Sequence, residues 1–263
     1  MKKWEIFESE CVEFLNQKYG KYASFRHEGG SDSTIPDIFV MTNTGNSFYI
    51  EVKSESAQCG QFVLIPNKIN PIFEYSKRNA KQINAYAQKI INHINSSFDD
   101  FYKAGSTGKN IVFPNCNYIF SQWIIDYYTK KKVEFFITKN FKIIPIQKFS
   151  DYFSVSATLR TKKSGSKDVG KKSIDMVLNF LIDHYKINKF RVDSDKLFIK
   201  IDQQLDKEIF SIDGSNYMFS SCNDEYKIRK LSHTNNYNVI FSIKFEENNL
   251  ELSQAEFISV LLK

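Results

Sequence analysis

Apolar residues recur at helical spacing over residues 4–20, WEIFESECVEFLNQKYG, where Trp4, Phe7, Cys11, Phe14 and Leu15 form one stripe and Gly20 supplies a stop. Two short β-rich runs follow, 38–41 (IFVM) and 48–52 (FYIEV). Between them Thr42-Asn43-Thr44-Gly45-Asn46 has the composition of a turn. The pattern predicts a helix and then a β-hairpin. Residues 76–96 read as an amphipathic helix, with Ala80, Ile83, Ala87, Ile90 and Ile91 on one side, and residues 98–110 read as a loop. Strands are expected at 133–138 and 141–149, and the alternation at 152–159 is strand-like. Helical spacing returns at Ile174, Val177, Leu178, Leu181 and Ile182. Short strand-like runs at 189–192, 196–201, 208–212, 226–229 and 238–245 lead to a helix at about 252–262, an α+β arrangement with antiparallel strands.

At 263 residues the chain can bury a sizeable core and has room for two modest domains. Hydrophobic residues make up 42% and charged residues 25%, the composition of an ordinary soluble protein. The net charge of +6 allows a polyanionic partner without requiring one. Four cysteines and four histidines are scattered, with no C-x-x-C pair, so neither a zinc site nor a disulfide framework is suggested. The N-terminal MKKWEIFESE is acidic and unlike a signal peptide, and no apolar run approaches a membrane span. A cytoplasmic setting without membrane association is therefore expected.

The hairpin changes this picture. Asp37 stands at the start of its first strand and Glu51 inside its second. Glu51 and Lys53, two apart on a strand, project from the same face. Two carboxylates and an ammonium would thus share one end of the hairpin. Mg²⁺ takes one or two protein carboxylates together with waters and phosphate oxygens. Asp37 and Glu51 are the right types, and the Val52 carbonyl is available as a third ligand. Such a metal lowers the pKa of a bound water and neutralises a scissile phosphate. Lys53 could orient the attacking water or stabilise the developing charge. The alternative is a surface hairpin carrying an ordinary Asp, Glu and Lys.

This stretch, PD followed by E-V-K, resembles the PD-(D/E)xK nuclease superfamily, and within it the archaeal Holliday-junction resolvases. The likeness covers roughly residues 4–150. It implies a restriction-endonuclease-like α/β core, a mixed central sheet flanked by helices, over residues 1–150. In that family an N-terminal helix carries a further glutamate. Here Glu8, followed by apolar residues at +3, +4 and +7 (Cys11, Val12, Leu15), matches it, and a carboxylate on an inward face needs a cation or a metal. The resemblance implies a catalytic and metal-binding set of Asp37, Glu51, Val52, Lys53 and Glu8. Ser31, in the Gly/Ser-rich approach to Pro36-Asp37, and Gln82, in a Q-x-x-x-Y pattern with Tyr86, are weaker catalytic candidates; a solvated Gln and a packed Tyr are the alternative reading of that pattern.

Residues 151–263 have no counterpart in a minimal resolvase-like core and are expected to form a recognition or accessory domain. It begins with Arg160–Lys172, where six residues are basic and one acidic. Glycines and serines let a backbone approach phosphate, and lysines release counterions on binding. Arg160, Lys162, Lys163, Ser164, Ser166 and Lys167 are read as a DNA-contacting loop, with a flexible linker as the alternative. The whole chain looks like a type II restriction endonuclease acting on double-stranded DNA with Mg²⁺, for which Mn²⁺ would substitute. A homodimer matching a palindromic site and a cognate methyltransferase are the expected partners. A structure-specific nuclease and a non-catalytic DNA-binding module are the competing readings.

Overall fold

The computed structural model describes residues 3–29, 35–67, 69–79, 82–163, 165–232, 235–246 and 254–263. In chain order it contains α1 (Lys3–Tyr19), β1 (Ala23–His27), β2 (Ile38–Thr42), β3 (Ser47–Val52), β4 (Ser56–Asn67), β5 (Ile72–Tyr75), α2 (Ala85–Ser96), α3 (Phe98–Tyr102), β6 (Lys109–Asn110), α4 (Cys116–Thr129), β7 (Val133–Thr138), β8 (Lys142–Pro145), α5 (Phe149–Tyr152) and β9 (Phe153–Lys163). There follow β10 (Ser166–Asp168), α6 (Ile174–His184), β11 (Lys189–Asp193), β12 (Lys196–Lys200), β13 (Ile209–Ile212), β14 (Ser215–Cys222) and β15 (Glu225–Leu231). The chain closes with β16 (Asn235–Phe245) and α7 (Gln254–Leu261).

These elements form two compact units, one of Met1–Thr161 with Tyr237–Lys263 and one of Lys162–Asn236. The division differs from a single cut after residue 150. The alternation of β9 continues into the basic stretch, and β16 and α7 return to the first unit because their apolar residues complete its cores.

The first unit holds two five-stranded sheets. One runs β1-β2-β3-β7-β8, antiparallel throughout except for the parallel pair β3–β7. Val133 and Phe136 of β7 enter one apolar core while Phe135 and Ile137 enter another, so this strand is buried on both faces. Cys11, Leu15 and Tyr19 of α1 and Phe257 and Leu261 of α7 supply the helical side of the second core. The other sheet runs β5-β4-β16-β9-β6 and shares its core with α2 and α4 through Phe62, Ile90, Trp123 and Phe241. Between Gln58 and Gln61 the β4–β16 register slips by one residue. Gly60 stands in that bulge at φ +95°, a conformation glycine adopts without strain. A Cβ there would meet the Trp123 ring at 2.8 Å.

The second unit is an antiparallel sheet, β11-β12-β15-β14-β13, with β10 added beside β15. Ile174, Val177 and Leu181 of α6 pack with Leu197, Ile199, Tyr217, Phe219 and Ile228 in its core. Among the described residues, most of the stretch 160–172 expected as a loop takes regular structure. Arg160 to Lys163 finish β9, Ser166 to Asp168 pair with β15, and Lys171–Ser173 form a turn of 3₁₀ helix. Charge explains the pairing: the Asp168 carboxylate is ion-paired with Lys227 at 2.7 Å and with Arg229.

Other elements depart from the hydrophobic pattern. The helix expected at 76–96 begins only at Ala85, where the Asn84 side chain accepts a hydrogen bond from the Ala87 amide at 2.8 Å. Ahead of it, Asn79 pairs with the Val63 backbone in both directions, at 2.8 and 2.9 Å, and residues 82–84 are not helical. The expected 141–149 strand ends at Pro145. The segment 98–110, expected as a loop, contains the short α3 and β6. The pattern also misses α4, whose buried residues Ile119, Phe120, Ser121, Trp123, Ile124 and Tyr128 lie on more than one side and blur the helical period.

Candidate active site

Glu51 and Val52 close β3, whose parallel pairing with β7 is continued by a bond from the Lys53 amide to the Ile137 carbonyl at 3.0 Å. The carboxyl ends of parallel strands are where α/β sheets gather ligands. Asp37 stands just before β2. Its carbonyl accepts from the Glu28 and Gly29 amides at 2.9 and 3.1 Å, and its Oδ2 accepts from the Val52 amide at 2.8 Å. Gly29 makes that approach possible, because a Cβ at this position would lie 2.8 Å from both the Asp37 Cα and Oδ1. Three backbone amide bonds and one missing side chain thus hold the aspartate against the end of the next strand.

The Lys53 ammonium lies among these groups. Its Nζ donates to Glu51 Oε1 at 2.5 Å and to the Val52 carbonyl at 3.2 Å, and lies 3.9 Å from Asp37 Oδ2. Tyr128, from α4, donates its hydroxyl to the same Glu51 oxygen at 3.0 Å. Glu8 is buried at 7% exposure, and its Oε2 lies 2.7 Å from His27 Nε2. All of these except His27 line one cleft of about 700 Å³, together with Trp4, Phe7, Gln58, Gly60 and Tyr127.

Burial raises the Asp37 carboxyl to about 7, the Glu51 charge and more weakly Glu8 adding to it, while Lys53 and the Val52 amide oppose it. Burial on its own would discharge Lys53, but Glu51 and Asp37 outweigh it and hold the amine above its usual range. Burial also lifts the Cys59 thiol to about 12, which leaves it an inert neighbour.

The donor set suits a hard divalent cation. Asp37, Glu51 and the Val52 carbonyl present only oxygen, and one positive group, the Lys53 ammonium, already sits among them. Among the described residues no three side chains of the His, Cys, Asp and Glu types converge closely enough to hold a metal. The set is therefore two carboxylates and a backbone oxygen. Glu8 shares the cleft, but its carboxylate is engaged by His27.

The remaining sequence candidates lie elsewhere. Gln82 precedes α2 and lines a separate small pocket with Asn84 and Asp126. Ser31 and Ser164 lie outside the described residues, as does the side chain of Lys163. Arg160 is half-buried on β9, and Lys162 and Lys167 are exposed. Ser166 is tied to Arg229, its Oγ accepting from Nε at 3.1 Å and its carbonyl from Nη2 at 2.7 Å. Sequence reasoning missed Tyr128 and His27; neither stands at a telling spacing from the motif, and only folding brings them to Glu51 and Glu8.

A sheet with a central parallel pair, helices packed against it, and carboxylates and a lysine at the strand ends define a restriction-endonuclease-like fold. No protein-family profile matches the chain, and no curated protein matches it. A solved structure of HhaI endonuclease in complex with DNA does: it is 37% identical, covers 99% of each chain and has a TM-score of 0.80. The chain belongs to the HhaI endonuclease family. No helix of the described residues is long and apolar enough to cross a membrane.

Proposed function

We propose that this protein is a PD-(D/E)xK endonuclease that hydrolyses phosphodiester bonds in double-stranded DNA with Mg²⁺, as a sequence-specific type II restriction enzyme. The observation that carries this reading is the convergence of Asp37, Glu51 and Lys53 in one cleft. Likeness over 99% of the chain to an endonuclease solved with DNA supports it, and favours a restriction enzyme over a bare junction resolvase.

Asp37, Glu51 and the Val52 carbonyl would hold the cation, and Mn²⁺ should replace Mg²⁺ because both accept oxygen ligands. When bound, the cation neutralises charge on the scissile phosphate and acidifies a coordinated water. The protein's own part is positioning. Asp37 is fixed by the Val52 amide, and Lys53 is held beside Glu51 until a phosphate oxygen or the attacking water competes for its ammonium. Arg160, Lys162 and Lys167 would add phosphate contacts. The described residues of one chain carry one such cluster, so cutting both strands of a duplex would take two copies, as in the expected homodimer, or two encounters.

Incubation of a plasmid with the protein and Mg²⁺ tests the reading. Discrete fragments are expected; cutting confined to branched DNA, or gel retardation without cutting, overturns it. Asp37→Ala and Lys53→Ala should abolish cleavage while DNA binding persists.

A further inference from the structure

Glu51 is 6% exposed, and the two donors that reach it, Lys53 Nζ and Tyr128 Oη, end on the same oxygen, Oε1. These donors differ in kind. Lys53 carries charge and also contacts the Val52 carbonyl, so a cation or phosphate entering the cleft competes for it. Tyr128 is neutral, 4% exposed and packed edge-on against Phe136 at 5.2 Å, on a helix whose neighbouring residues fill the core. A buried phenol of this kind keeps its place when the ammonium leaves. A ligating carboxylate left without an outer partner loses both orientation and basicity control.

We infer that Tyr128 is a positioning residue that fixes the Glu51 carboxylate for cation binding once Lys53 turns away to the substrate. The inference rests on the endonuclease reading and deepens it, assigning to α4 a part in a site otherwise built on the β2–β3 hairpin. Tyr128 acts through Glu51. No proton passes through the phenol.

Tyr128→Phe keeps the ring and its packing and deletes the hydroxyl, with its bond to Glu51 and its contact with the inert Cys59 thiol. Mn²⁺ binding without DNA, followed by electron paramagnetic resonance, should weaken by about 10–100-fold, the range for removal of a partner to a metal-holding carboxylate. Cleavage at limiting Mg²⁺ should fall with it and recover at high Mg²⁺, while duplex affinity in the absence of metal stays at the wild-type value. A purely structural role would lower the melting temperature and leave Mn²⁺ affinity of the folded protein unchanged, and that result overturns the inference. So does a variant that binds Mn²⁺ and cuts like the wild type. Should the variant not fold, the wild type still decides. Mg²⁺ should perturb its tyrosine ultraviolet absorption, and an unchanged spectrum from a protein that binds Mg²⁺ counts against the inference. A wild type that neither binds Mn²⁺ nor cuts DNA instead removes the endonuclease reading itself, which separates the two failures.

Discussion

Asp37 is held by interactions that pull against each other. The Val52 amide and the Lys53 ammonium favour its charged form, whereas burial and the Glu51 charge oppose it and prevail, lifting the carboxyl from 3.8 to about 7. Between those values the folded, metal-free protein binds more protons than the unfolded chain. Stability contributed by this group is complete at low pH and is lost as the pH rises through the folded value. Calorimetry across that window should show the wild type losing stability relative to Asp37→Asn, by up to about 1.4 kcal/mol per pH unit, and Mg²⁺ should shrink the difference. A difference that stays flat with pH contradicts this account. Gly29 matters at the same scale. In Gly29→Ala the new methyl meets the Asp37 backbone and carboxylate at 2.8 Å, so the aspartate must shift. A displacement of about 1 Å at a reacting centre can cost ~10²-fold in rate, and cleavage by this variant should fall by that order while DNA binding is kept.

At the scale of elements, the cleft is assembled from parts that are distant in the chain. β3 and the residue that follows it bring Glu51 and Lys53, the segment before β2 brings Asp37, α1 brings Glu8, and α4 brings Tyr127 and Tyr128. The bulge in β4 forms part of the wall through Gly60, which sits at φ +95° against Trp123. Trp123 in turn stacks on Phe241 with ring centroids 4.2 Å apart, so the wall is tied to the core. Gly60→Ala combines a strained backbone with a steric conflict and should cost about 1–3 kcal/mol in urea unfolding. Its cleavage rate should fall as well, because the displaced Trp123 ring stacks on Tyr127, which lines the cleft. The hairpin and α1 were legible from short-range pattern: the alternation of β3 and the apolar stripe of α1 are local facts. β4 was not, since Gly60, Pro66 and Asn67 within it are turn residues, and neither was α4, which is buried on too many sides to show a period.

Across the whole molecule, the chain leaves the first unit after Thr161 and rejoins it at Tyr237. The terminal helix α7 belongs to the nuclease-like unit. Phe257, 2% exposed, packs against Tyr19 and Phe135 with centroid distances of 4.9 Å to each. Phe257→Ala should therefore destabilise the first unit by about 3–5 kcal/mol, and denaturant unfolding followed through its tryptophans, Trp4 and Trp123, will register the loss. The second unit has its own core around Tyr217 and Phe219 and needs nothing from Phe257.

By itself the sequence determined the local frame: a helix carrying Glu8, a hairpin carrying Asp37, Glu51 and Lys53, and an α+β tail. Such features follow from periods of a few residues, which the order of side chains states directly. Only the tertiary structure decided that Tyr128 reaches Glu51, that His27 takes Glu8, that the basic stretch continues a strand and begins another, and that the final helix closes the first unit. Those outcomes depend on buried faces meeting across long stretches of chain. No local spacing encodes such a meeting, because burial rewards any partner of the right shape and charge wherever it stands in the sequence.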